Sequence, residues 1–370
     1  MTTSAVTVFE LSTRAAFLAL EKEWNTLAEA TGVGPFGRHE CIRAFIDSFA
    51  PDATLKILTA RGATGRLVAA LPLLAERGFV CGFPARQLVA AANTHSCRFD
   101  MIAEDPPSAG RAFLTHLRGG GAGWDVLRLL DVPEGGKAWQ IYEAAQEAAL
   151  PVGAWESQRS PYLSFPSSYD ALLAGKSPQF RANLRRRRRQ LERLGRLSFE
   201  RVTDKAQLAD RLEEGFALER SGWKGEEGTA IAQDEATRAF YTRLAESASS
   251  QGYLSLSFLR VDGKPVAFHY GLTYGGIYYV PKLAYDETLK GCSPGLVLLE
   301  EAIQDGIAHG LRGYDFLGTE AHWKDEWSTG VRPHHWLFIF RDTTVGRALQ
   351  KAKFAWVPAA KRMLLGTDAA

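Results

Sequence analysis

YLSLSFLRV (Tyr253–Val261), VAFHYGLT (Val266–Thr273) and IYYVPKLAY (Ile277–Tyr285) are three consecutive runs rich in aromatic and β-branched residues. Asp262-Gly263 and Gly275-Gly276 stand between them. Such dipeptides favour two-residue hairpin turns, so the runs read as three antiparallel strands. The text after them changes period. Ser293-Pro294-Gly295 opens a segment whose apolar residues, Leu296, Leu299, Ile303 and Ile307, recur at helical spacing until Gly310. A strand over 314–317, an aromatic segment over 322–327 and a strand over 336–340 follow. The chain then ends in an amphipathic helix over 345–365.

Upstream of Tyr253, Ser177-Pro178 marks the start of a helix that Gly195 closes. A strand over 197–202 and two helices, 205–219 and 234–248, come next. From residue 197 the order is therefore β-α-α-β-β-β-α-β-α-β. The first half gives a weaker pattern. It has helices near 14–30 and 42–49, strands over 55–60, 67–74, 88–91, 99–103 and 124–130, and helices over 108–117 and 138–149. The Ser- and Pro-rich stretch from 157 to 166 reads as a linker. The organisation expected is a first lobe over 1–155, a linker and arginine-rich helix over 156–196, a second lobe over 197–342 and a C-terminal helix over 343–370.

The totals bound the function. A chain of 370 residues, 46% hydrophobic and 23% charged, holds enough apolar material for two domains. A net charge of +2 does not single out a nucleic-acid binder, and no DNA partner is expected. Cys41, Cys81, Cys97 and Cys292 are scattered without a C-x-x-C pair, which argues against a zinc site and fits a reducing compartment. The first ten residues lack a basic segment followed by an apolar run, and no stretch is long enough to span a bilayer. The reading is a cytoplasmic protein with no metal.

Several short texts carry a family resemblance: Gly263-Lys264-Pro265-Val266-Ala267, Lys282-Leu283-Ala284-Tyr285-Asp286, Ser293-Pro294-Gly295, Tyr314-Asp315-Phe316-Leu317-Gly318 and Lys324-Asp325-Glu326-Trp327. Arg181 to Leu194, Ser221-Gly222-Trp223-Lys224, and Trp24 with Pro35-Phe36 add to it. Together they resemble GNAT acyltransferases of the Fem-like and CelD-like subgroup, which includes peptidoglycan amino-acid transferases and proteins of exopolysaccharide gene clusters. The resemblance implies a mixed α/β (α+β) fold of two tandem GNAT-like lobes, each a mostly antiparallel twisted sheet flanked by helices, the first lobe degenerate. It also implies an N- or O-acyltransferase with acyl-CoA, such as acetyl-CoA, as donor and a small-molecule or glycan acceptor. Ordinary GNAT enzymes wrap the coenzyme A pyrophosphate in an R/Q-x-x-G-x-G/A loop, whereas this chain has the reduced text Lys290-Gly291-Cys292-Ser293-Pro294-Gly295. Fem-type relatives use aminoacyl-tRNA, usually with a helical-hairpin arm, and no such arm is legible here.

The residues themselves support a site. Gly291, Cys292, Ser293 and Gly295 sit where a helix opens, and a helix N-terminus offers unpaired N–H groups to a pyrophosphate. The same text also reads as a plain cap. A two-residue Gly275-Gly276 turn pairs Tyr274 with Ile277. Counting back places His269 opposite Lys282 and Ala267 opposite Ala284, with Asp286 on the same face. His269 or Asp286 would serve as base and Lys282 would steady an oxyanion, unless the trio is a solvated cross-strand cluster. Tyr285 is a candidate donor to the leaving thiolate, and Asp315 is a carboxylate among apolar neighbours. Trp223, Lys224, His322, Lys324 and Trp327 are expected to line an acceptor cleft.

Arg185 to Arg189 cannot all face one ligand, since successive helical residues turn by about 100°. With Phe180, Leu184, Leu191 and Leu194 as the apolar stripe, Arg187 falls at its centre and is expected to meet an acid or a bound anion. The outer arginines form either a solvated face or a clamp for an anionic ligand or membrane surface. Two rival readings follow: a non-catalytic module binding an anionic nucleotide, such as a cyclic dinucleotide, through this helix, and a Fem-type aminoacyl-tRNA-dependent transferase.

Overall fold

The computed structural model describes residues 6–119, 123–203, 205–220 and 234–359. The first part of the chain runs β1 (Thr7–Leu11), α1 (Arg14–Leu18), α2 (Glu21–Thr31), α3 (His39–Phe49), β2 (Thr54–Leu55), β3 (Ile57–Arg61), β4 (Leu67–Leu71), β5 (Leu73–Val80), β6 (Phe83–Ala90), β7 (Ile102–Ala103), α4 (Pro106–Gly119), β8 (Val126–Pro133) and α5 (Trp139–Glu147). It continues with β9 (Val152–Ser164), α6 (Tyr169–Ala174), α7 (Pro178–Glu192), β10 (Leu197–Val202), α8 (Leu208–Arg220) and α9 (Glu235–Ser250). The last part is β11 (Leu256–Val261), β12 (Lys264–Tyr274), β13 (Ile277–Tyr285), α10 (Pro294–Ala308), β14 (Gly313–Asp315), α11 (His322–Asp325), β15 (Gly330–Phe340) and α12 (Thr344–Lys351). The fold is mixed α/β, and it divides into two compact units.

Unit 1 comprises residues 1–46, 50–157 and 333–370. Its strands form an antiparallel sheet in the order β1-β3-β4-β7, and a second run in the order β15-β8-β6-β5-β2 in which only β6 and β8 are parallel. Helices α4 and α5 bury Phe113, Leu117, Ile141 and Ala145 in a core with Leu58, Leu71, Leu127 and Leu129. The β5–β6 hairpin is longer than the sequence suggests. The strands expected over 67–74 and 88–91 stop short of it, yet a two-residue turn at Cys81-Gly82, with φ of 51° and 84°, carries the pairing out to Val80 and Phe83. Two positive φ values are what a twisted tight hairpin requires.

Unit 2 comprises residues 47–49 and 158–332. β10, β11, β12 and β13 form an antiparallel meander. β14 then joins β13 in parallel, and the second half of β9 pairs antiparallel with β14 through Tyr162, Leu163 and Ser164. The stretch expected to be a linker is therefore strand. Its Ser, Gln and Pro residues suggest a loop, but tertiary pairing overrides weak local propensity. Helix starts fall where the caps predict. Ser177 Oγ accepts from Phe180 N at 3.1 Å, and an Asp234 carboxylate oxygen accepts from Thr237 N at 2.7 Å. α10 buries Val297, Leu298, Leu299 and Ile303 against the meander.

Candidate functional site

Two departures from regular pairing create the site in unit 2. The first is a bulge. Tyr274 pairs with Ile277, as the turn predicts, but the register shifts between Tyr270 and Leu272. Tyr270 pairs with Lys282 and Leu272 with Tyr279, so Val280 and Pro281 together oppose Gly271. Pro281 has no N–H to give the ladder, and a strand proline is accommodated by such a bulge. A Cβ on Gly271 would lie 2.3 Å from both the Ser255 carbonyl oxygen and Tyr278 Oη, so no side chain fits there. The expected pairs are thus corrected by one residue: His269 lies opposite Leu283, and Ala267 opposite Tyr285. Residues paired across a ladder share a face, so Lys282 goes with Tyr270 on the face opposite His269.

The second departure is a splay. β13 pairs with β14 only through Ile277–Tyr279 and Gly313–Asp315. Beyond that point a cavity of about 440 Å³ opens, walled by Leu283, Ala284 and Tyr285 of β13, Leu218 and Glu219 of α8, His269, Trp323, and Ser293, Gly295 and Leu296 at the start of α10. Glu287 and Lys290 stand at the same wall.

Its chemistry is set by burial. His269 is 2% exposed, and Nδ1 has no hydrogen-bond partner. Burial alone pushes the imidazole down to about 3, so the ring is neutral near pH 7. A histidine that is neutral when folded takes up a proton on unfolding in the window between about 3 and its ordinary value near 6.5. Its contribution to stability is complete above that window and declines as pH falls through it. Chemical denaturation of His269→Gln from pH 6.5 to 5 should show a shallower loss of stability than the parent, by up to one proton, or about 1.4 kcal/mol per pH unit. Equal slopes would contradict the burial argument.

Glu219, 3% exposed, lies at the end of α8 with Lys282 Nζ 3.9 Å from its Oε1. Lys282 also sits 5.7 Å from the centre of the Tyr241 ring. Glu219 was not among the residues expected from the sequence. The signal was present: Leu208, Leu212, Phe216 and Glu219 follow one helical stripe, and a carboxylate on a buried stripe requires a reason.

The structure places the other expected residues as follows. Tyr285 lines the cavity, and a Cβ on Gly295 would sit 3.4 Å from its ring. Ser293 and Gly295 line it too, but a 3₁₀ segment (Glu287–Cys292) intervenes between β13 and α10, so the helix does not open directly after the strand. Ser293 adopts φ 52° and gives α10 no side-chain cap. Cys292 packs on the apolar cluster of Leu191 and Val297. Asp286 caps the 3₁₀ segment, accepting from Thr288 N at 2.9 Å and Thr288 Oγ1 at 2.6 Å. Asp315 is buried, accepts from Leu317 N at 3.1 Å and pairs with Arg332 at 3.1 Å.

Of the residues expected in an acceptor cleft, His322 is exposed on α11. Lys324 is turned inward, donating to the Leu317 and Thr319 carbonyl oxygens at 2.7 Å each. Trp327 is fully buried against Phe180, with ring centres 5.0 Å apart, because its segment folds onto α7 as core. Trp323 takes the cavity-lining place instead. Trp223 and Lys224 lie outside the described residues.

On α7 the acid contact belongs to Arg188, 3.3 Å from Glu300 and 2.6 Å from Glu301. Leu194 lies past the helix end and is 51% exposed. Without it the stripe is Phe180, Leu184 and Leu191, and its centre moves toward Arg188. Arg187 is half-buried and has no acidic partner among the described residues, while Arg185, Arg186 and Arg189 are exposed. Leu191 of this helix packs with Leu289 and Cys292 of the 3₁₀ segment at the cavity wall. Among the described residues no group of His, Cys, Asp or Glu has the arrangement of a metal site, and no helix is long and apolar enough to cross a membrane.

Residues 178–325 match the family model described as an acetyltransferase (GNAT) domain. No curated protein matches the chain in sequence. Solved structures with a similar fold include FemX, at 9% identity and a TM-score of 0.60 over 93% of this chain and 100% of that one. A DUF2156 C-terminal domain from Agrobacterium fabrum, at 12% identity, has a TM-score of 0.55 over 96% of this chain and 99% of that one. L-PGS from Bacillus licheniformis, at 11% identity, has a TM-score of 0.53 over 90% and 96%. At these identities the likeness is one of fold. Residues 178–325 are thus similar to a GNAT domain, and their meander and splayed parallel strand fit that likeness.

Proposed function

We propose that the chain transfers an acyl group, acetyl first among candidates, from acyl-CoA to an amine or hydroxyl of a sugar- or amino-acid-containing cell-envelope or exopolysaccharide intermediate. The observation that carries this reading is the cavity that runs along the splayed end of β13 to the uncapped start of α10. The free strand edge would pair with the amide groups of a pantetheine arm. The α10 N-terminus and Lys290 would hold the pyrophosphate. Glu219 would take the proton from the acceptor amine or hydroxyl as it attacks the thioester carbonyl carbon, with Lys282 balancing its charge. Neutral His269 would hydrogen-bond the acceptor, and Tyr285 would protonate the departing thiolate. The sugar or envelope acceptor rests on the resemblance of the sequence, and the scattered thiols fit a cytoplasmic setting.

A second reading has its own observation: the helix that carries the exposed arginines packs through Leu191 on the 3₁₀ segment at the cavity wall, which suits a donor carried on tRNA. Calorimetry with acetyl-CoA and with an aminoacyl-tRNA separates the two. For acetyl-CoA, Gly295→Asp should weaken binding at least tenfold, about 1.4 kcal/mol, by placing a carboxylate where the pyrophosphate lies. The added Cβ meets Tyr285 only at ordinary contact distance. Unchanged affinity in that variant, or binding of the charged tRNA alone, would reject the acyl-CoA reading.

A further inference from the structure

Four of the eight exposed large apolar side chains among the described residues lie at two neighbouring places in unit 1. Phe79 is 70% exposed and Phe83 54% at the tip of the β5–β6 hairpin, while Trp356 is 56% exposed and Val357 36% just after α12. The two places meet through one apolar cluster. Val80 and Ala85 of the hairpin and Leu349 of α12 are among its buried members, with Cys81 and Phe354 packed against it. Phe83 shares the sheet face of Val80, its cross-strand partner.

Charge accompanies the apolar residues. Arg77 and Lys351 have no acidic partner among the described residues, and both are exposed. Lys353 Nζ lies 4.4 Å from the centre of the Trp155 ring and 4.6 Å from that of Phe338, with no carboxylate on it. Arg128 lies close enough to repel Lys353, and its Nε is buried without an acceptor. Glu76 lies close enough to Arg128 to attract it, whereas Arg86 and Arg347 are paired with Asp125 and Asp342.

We propose that this rim of unit 1 docks on an anionic phospholipid surface, with Phe79, Phe83 and Trp356 entering the interface and Arg77, Lys351 and Lys353 meeting lipid phosphates. Shape and size favour this occupant over a protein. Aromatic side chains bury about 150–250 Å² each, so the half-exposed set offers on the order of 400 Å², half of the ~800 Å² that a stable protein partner covers. A hairpin apex projects rather than forming a groove, and aromatic residues beside uncompensated Lys and Arg are the composition that settles at a bilayer interface. The inference is independent of the acyl donor and of the cavity in unit 2.

The test is co-sedimentation of the full chain with vesicles of phosphatidylcholine alone and of phosphatidylcholine mixed with phosphatidylglycerol. Binding is expected to the mixed vesicles only and to weaken as salt is raised. A double Phe79→Ser, Phe83→Ser variant and a double Arg77→Glu, Lys351→Glu variant should each lose about tenfold or more in vesicle affinity. All these side chains are surface groups, so circular dichroism and acetyl-CoA affinity should match the parent. Absence of binding to the mixed vesicles, or equal binding by the Ser variant, overturns the proposal. So does a concentration-dependent dimer in light scattering that the Ser variant abolishes, which would make the rim a self-association surface.

Discussion

Trp327→Ala is expected to lower the stability of unit 2 by about 3–5 kcal/mol, the range for emptying a buried aromatic site. The indole is fully buried among Phe180, Leu163, Leu172 and Leu184. The main chain there is held independently, by Trp327 N donating to the Lys324 carbonyl oxygen at 3.0 Å and Lys176 Nζ donating to the Trp327 carbonyl oxygen at 3.1 Å, so the loss is that of the side chain alone. A cavity left there cannot close without moving α7. Urea denaturation should show a large fall in midpoint, whereas Trp323→Ala, on the cavity wall, should fall far less and act on ligand affinity. If Trp327→Ala melts like the parent and binds ligand poorly, the indole is a recognition group after all and its place in the core is misassigned.

Glu219→Gln should reduce kcat by about 10²–10⁴, the range for removing a general base, with acetyl-CoA affinity unchanged. Gln keeps the volume and one acceptor oxygen but cannot take a proton. Thiol release from acetyl-CoA, followed with an accepted amine or hydroxyl substrate, is the measurement. A change of less than threefold at every pH would remove Glu219 from the proton path and leave it as an ion-pair partner of Lys282.

The meander of unit 2 was legible because its turns are chemical: Asp262-Gly263 and Gly275-Gly276 fix strand ends whatever the rest of the chain does. Helix α10 was equally legible from its apolar spacing. The second half of β9 was not, because its pairing with β14 joins segments about 150 residues apart and leaves no local pattern in a Ser- and Pro-containing run. Tyr285, Ser293 and Gly295, which line the cavity, stand out in the sequence because glycine and cap chemistry mark the turn to α10. His269 was found for its residue type but given the wrong neighbour, since a proline inside a strand shifts register by an amount sequence counting does not supply. Trp327 and Lys324 were misread because an aromatic or a lysine in a short loop looks the same whether it turns outward or inward. Glu219, on the cavity wall, lies on a helix rather than on the strands whose turns mark the site, and only its buried helical stripe signals it.

The bulge at Pro281 has a consequence for how such a site can be remodelled. A strand normally alternates its side chains in fixed phase, so one inserted or deleted residue inverts everything beyond it. Here the phase break lies between the hairpin turn and the cavity. The turn half of β13 keeps its pairing with β14, while Lys282, Leu283 and Ala284 take their facing from the bulge. Regular pairing without the bulge would exchange the inward and outward sets at the cavity and leave the sheet seam intact. Chemistry and scaffold are thereby separately adjustable: one proline sets which half of the alphabet of that strand the ligand meets.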